Sequence, residues 1–148
     1  MRAGCAALLT TVLLAACATG PVEVRREVSD GPEQVADRIV ARLTALGLSV
    51  SDRSATGLTA RSTSALPAWA TCPPRLVGGG DDRRVMASAR TRQALVRVGF
   101  VSAGGGTRVE VEADFTAGYT NPIRAATFTA GCRSTGMIEA AVLEAAGR

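Results

Sequence analysis

The sequence of 148 residues contains no histidine. That removes the commonest general base and a frequent metal ligand, and with them any Ser-His-Asp or Cys-His catalytic set. Lysine is absent as well, so all 17 basic residues are arginines. A Walker-type phosphate loop needs the lysine, so Gly78-Gly79-Gly80 and Gly104-Gly105-Gly106 are not phosphate cradles. No Gly-x-Ser-x-Gly elbow is present. Aromatics make up only 3% of the residues, which leaves Val, Leu, Ile and Ala to build the core. The arginines are interleaved with 13 acids and the formal net charge is +4. No basic run marks a nucleic-acid partner. No apolar run reaches the ~20 residues that a bilayer-spanning helix needs.

What the chain does have begins at its amino terminus. After Met1 and Arg2, residues Ala6 to Ala16 are apolar except for Thr10 and Thr11. A short basic start, an apolar stretch and small residues before a cleavage point make a secretory signal. Leu14-Ala15-Ala16-Cys17 resembles the lipobox of bacterial lipoprotein precursors: Leu, two small residues, then Cys. The resemblance covers residues 1–17 and implies cleavage between Ala16 and Cys17, a diacylglyceryl group on the Cys17 thiol, and acylation of the new amino group. Three acyl chains hold far more firmly than one, which binds only marginally. The alternative is plain secretion, with Cys17 incidental and cleavage at Ala16-Cys17-Ala18. By the same resemblance, Ala18 in place of an Asp points to the outer membrane, facing the periplasm, where the source has one.

This divides the chain into a signal peptide (1–16), a lipidated amino terminus and tether (17–30) and a single domain (31–148), long enough for its own core. Of four cysteines, Cys5 leaves with the signal and Cys17 is lipidated. Cys72 and Cys132 remain in an exported, oxidising setting, where such a pair forms a structural disulfide. Their spacing fits neither a Cys-x-x-Cys redox motif nor a zinc site.

Val22, Val24 and Val28 alternate, which suits an edge strand or a solvated linker. Asp30-Gly31-Pro32-Glu33 reads as a helix start with a capping box. Val35, Ile39, Leu43 and Leu46 then form the apolar stripe of a helix that Gly47 ends. Leu48–Arg53 and Leu58–Ser62 alternate as a hairpin. Ala94, Val96, Val98 and Phe100 pair with Val109, Val111, Ala113 and Phe115 in a second hairpin, which turns at Ala103–Gly106 and sets Arg97 across from Glu112. Residues 63–83 and 116–131 carry Pro, Gly and Asn and are expected to be irregular loops. The disulfide pins the first of them, with Trp69 packed beside it. Ser134-Thr135-Gly136 leads into a last helix with Met137, Ile138, Ala141, Val142 and Ala145 on its apolar face. The expected fold is α+β: a two-layer sandwich, an antiparallel sheet of about four strands with two helices on one face.

No catalytic residue, cofactor or metal site is expected. Asp81-Asp82 lacks the alternating oxygens of a calcium loop and reads as solvated charge. Glu110, Glu112 and Asp114 form an acidic row that Arg97 and Arg108 can neutralise. The expected function is a membrane-anchored envelope lipoprotein, a non-catalytic binding or assembly-accessory module with an envelope protein as partner. The alternative is a small-ligand receptor or enzyme using segments 63–83 and 116–131.

Overall fold

The alternation read in the second hairpin extends well past Phe115. In the computed structural model, which describes residues 24–78 and 84–148, Phe115, Ala117 and Tyr119 continue one buried row. The lipobox, Cys17 and Asp81-Asp82 lie outside the described residues. Strand β7 (Ala89–Ala103) and strand β8 (Gly106–Asn121) thus make one long antiparallel ribbon. Its turn residues, Gly104 and Gly105, have φ of 56° and 94°. Both lie in the left-handed region, the geometry that matches the twist of the flanking strands.

Strand β8 is the centre of the sheet. One edge holds β7. The other is shared: β1 (Val24–Val28) pairs along Thr107–Val111, and β9 (Ala126–Ser134) pairs along Phe115–Asn121. Beyond β7 lie β3 (Gly57–Ser62) and the edge strand β2 (Ser49–Ser54), whose pairing is interrupted by a bulge between Val50 and Asp52. Short β4 (Ala70–Thr71) extends the far side of β9, giving seven strands. β5 (Arg75–Gly78) and β6 (Arg84–Ala87) form a separate two-stranded ribbon.

Helix α1 (Pro32–Ala45) connects β1 to β2, strands on opposite sides of the large sheet, and helix α2 (Met137–Ala146) follows β9. Val35, Ile39 and Leu43 of α1 are fully buried, in one cluster with Ile138 and Val142 of α2 and the inner row of β3, β7 and β8. Gly47, at φ 81°, closes α1: the Leu48 N–H donates to the Leu43 carbonyl at 3.0 Å and the Gly47 N–H to Thr44 at 2.9 Å. That is a Schellman ending, and it buries Leu48. The expected capping box does not form. Gly31 holds the cap position without a side-chain bond, and the Asp30 carboxylate instead accepts from Arg38 Nη2 at 2.7 Å.

Arg38 and Arg26 explain how α2 is docked. Arg38 donates to the carbonyls of Ala145 and Ala146, and Arg26 to that of Leu143. These carbonyls are among those a helix end leaves without intrahelical partners, and positive charge there also opposes the helix dipole. The predicted apolar face of α2 is partly shifted. Met137 is 54% exposed, while Leu143 and Ala146 are buried beside Ile138 and Val142.

A second, smaller cluster lies under the β5–β6 ribbon, built on Ala87, Ala117 and Tyr119. Tyr119 stacks on Phe128 with ring centroids 5.2 Å apart and donates its hydroxyl to the Pro73 carbonyl at 3.0 Å. The aromatic body is buried while its polar end finds an acceptor.

The expected α+β sandwich of about four strands under two helices is therefore overturned. Strand accounts for 56% of the structure, with seven strands in the large sheet and two more in the small one. The reason is physical. Segments 63–83 and 116–131, expected as loops, hold β4, β5, the end of β8 and the start of β9. Their inward positions carry small residues such as Ala117 and Ala130, which bury surface without producing a strong apolar signal.

Candidate binding groove

The outer face of the sheet divides at Asp114. On the side of β1, carboxylates and guanidiniums alternate and pair. Arg108 Nη2 meets Glu27 at 2.9 Å, Arg25 meets Glu110 at 3.4 Å, and Arg97 meets Glu112 at 3.4 Å and Asp114 at 2.6 Å. Hydrogen bonding to Asp114, then the charges of Asp114 and Glu112, outweigh desolvation and hold the Arg97 guanidinium even more firmly protonated than usual. All these side chains are at least a third exposed, so each pair contributes no more than about 1 kcal/mol. Of the acidic row, Arg97 neutralises Glu112 and Asp114 as expected, while Arg108 turns to Glu27 and Arg25 serves Glu110.

On the other side of Asp114 the face changes character. The ladder pairs Arg61 with Leu95 and Leu95 with Asp114, and Arg133 follows Cys132, the partner of Phe115. One row across β3, β7, β8 and β9 therefore reads Arg61, Leu95, Asp114, Arg133. The next row pairs Gln93 with Thr116 and Thr116 with Gly131. Arg75 reaches the same place from β5, where its Nη2 donates to the Gly131 carbonyl at 2.9 Å. Its Nε is buried without an acceptor. These residues line an open groove of about 1040 Å³. Among the described residues, Arg61, Arg75 and Arg133 have no carboxylate partner.

The floor is shallow for a reason visible in the sequence. Gly131 has nothing within 4 Å of where a Cβ would stand, and across the ladder it meets only Thr116 and then Gln93. A second hollow, of about 750 Å³, lies at the amino end of α1 beside the β2–β3 turn. It brings together Glu33 and Arg53 but none of the singled-out site residues.

Cys72 and Cys132 are joined in a disulfide, with Cα atoms 4.6 Å apart and 60 residues between them in sequence. The bridge fastens the segment leading into β5 to β9, so Arg75 and Pro73 are held against the groove. Trp69, 4% exposed, is buried in the cluster that the bridge packs against. Among the described residues, no group of three or more acidic or thiol side chains is placed to hold a metal ion, and no helix is long and apolar enough to cross a membrane. Sequence reading named the two segments that supply part of the groove but missed Arg61 and Arg133, whose strand register aims both at one face. Glu139 was missed too. It is fully buried at the start of α2, with Oε1 accepting from the Ser134 hydroxyl at 2.6 Å and Oε2 without a partner.

Compared with protein families, curated proteins and solved structures, the chain matches none.

Proposed function

We propose that this chain is a lipid-anchored protein of the bacterial cell envelope whose β domain is a non-catalytic binding module. The reading rests first on Leu14-Ala15-Ala16-Cys17, a full match to the lipobox pattern. The observation that supports it is the Cys72–Cys132 disulfide. Bonded thiols fit an exported domain, since cytosolic reductants keep such pairs open. Binding rather than chemistry is favoured because the sequence has no histidine and the outer face offers recognition groups, arginines and hydroxyls, without a nucleophile–base pair.

The groove favours small-ligand or headgroup binding within this reading. It opens between parts of segments 63–83 and 116–131, with Thr63, Pro73 and Arg75 from the first and Thr116 and Gly131 from the second. The anchor is tested by growing cells with labelled palmitate. The chain is expected to take up label and sediment with membranes, while Cys17→Ser is unlabelled and released. An unlabelled wild-type chain, or a Cys17→Ser chain equally membrane-bound, refutes it.

A further inference from the structure

The point where the described chain begins and the groove lie side by side. Val24 enters the sheet opposite Val111, and the pairing of β9 with the same edge of β8 ends at Phe115–Cys132. The chain therefore joins the domain at the gap between β1 and β9, next to Asp114 and Arg133. Cys17 precedes Val24 by seven residues. A chain of that length spans at most about 25 Å. A lipid on Cys17 thus holds this edge of the sheet close to the bilayer surface.

We propose that the groove binds the phosphate of an anionic phospholipid headgroup, using Arg61, Arg75 and Arg133. Charge complementarity selects the ligand. Past Asp114, the outer residues of β8 and β9 are Thr116, Gly118, Thr120, Thr127, Thr129 and Gly131, with no acid among them. Arg61 and Arg133 stand three strand spacings apart, roughly 14 Å between backbones. Both line the groove, and Arg75 lines it too, held by its bond to the Gly131 carbonyl. Guanidinium groups suit phosphate because their N–H donors match its oxygens. Threonine hydroxyls and the open space over Gly131 leave room for the glycerol portion. This inference deepens the lipid-anchor reading, which explains why the groove stands near a bilayer.

The test uses residues 17–148 with Cys17→Ser, so that no acyl chain drives association. The oxidised protein is sedimented with vesicles of phosphatidylcholine alone or with phosphatidylglycerol added. Binding is expected only with phosphatidylglycerol and is expected to weaken in high salt. Arg61→Gln with Arg133→Gln should reduce it about 30-fold, while the same charge loss at Arg42 and Arg124, away from the groove, should reduce it less than about threefold. Equal loss in both double variants shows general attraction and overturns the proposal. So does equal binding to neutral vesicles. Displacement by millimolar inorganic phosphate identifies a free-phosphate site instead, and capture of poly-glutamate with vesicles left unbound identifies an acidic protein partner. Either result overturns the headgroup assignment. Because this protein carries no lipid, a failure here leaves the palmitate result standing, and failed labelling leaves vesicle binding standing.

Discussion

Ser134 carries more than its size suggests. Its hydroxyl donates to Glu139 Oε1 at 2.6 Å and accepts the Gly136 N–H at 3.0 Å. Next to it, Thr135 donates to the Ala68 and Trp69 carbonyls, so the entry to α2 is fixed by side chains and by Gly136 at φ 82°. Removing a partner from a buried polar group costs more than removing the group itself. Ser134→Ala leaves both Glu139 oxygens without a partner and should destabilise the domain by about 1–3 kcal/mol. Glu139→Met removes the orphaned oxygen along with the rest of the carboxyl and keeps the Ser134–Gly136 bond. It should be neutral or stabilising. Urea unfolding of the two variants checks this, and the reverse order of stabilities refutes it.

At the level of elements, one glycine of the central ribbon and one of the neighbouring β9 separate close packing from open space. Gly106 lies where β1 crosses close to β8, and a methyl group there would run into the Val28 carbonyl oxygen. Gly131 faces open space. Gly106→Ala should therefore dislodge β1 and lower stability by about 1–3 kcal/mol, the range for overpacking. Gly131→Ala should stay within about 0.5 kcal/mol, as exposed substitutions do. Thermal unfolding of both, with hydrogen exchange along β1, measures the difference, and equal effects refute the argument. The same ribbon shows what was legible in the sequence. The alternation from Ala94 to Phe115 carries large apolar residues inward and charges outward, so strand pairing, turn and the Arg97–Glu112 register could all be read. Past Phe115 the inward residues mix the small Ala117 and Ala130 with Tyr119 and Phe128, and the outward ones are Thr and Gly. Alternation then weakens, and Pro122 and Gly131 look like loop signals. The helix stripe of Val35, Ile39 and Leu43 was legible because each position is a bulky residue at helical spacing. The groove was not, because Arg61 and Arg133 are 72 positions apart in sequence and meet only through the order of β3, β7, β8 and β9.

At the scale of the whole molecule, the disulfide holds together parts that few other contacts join. The large sheet and both helices share one cluster, whereas the β5–β6 ribbon covers a smaller one beneath the far end of β8. Between them run Tyr119 to Pro73, Asn121 to Gly78, Arg75 to Gly131, and the Cys72–Cys132 bridge, which touches both clusters. Closing a loop of 60 residues restricts the unfolded chain and should contribute about 4 kcal/mol in the chain-entropy model. Reduction, or Cys72→Ser with Cys132→Ser, should therefore lower the urea midpoint. It should also steepen the denaturant dependence, because the unfolded chain without the cross-link exposes more surface. Fluorescence of the single Trp, Trp69, which is buried in the cluster that the bridge packs against, follows the transition directly. The wall supplied by Arg75 and Pro73 also loses its clamp, so vesicle binding should weaken under reducing conditions even well below the unfolding midpoint. Native protein that titrates two free thiols, or a midpoint unmoved by reductant, contradicts this. In that case the β5–β6 ribbon is held by the hydrogen bonds of Tyr119, Asn121 and Arg75 and by the small cluster beneath it.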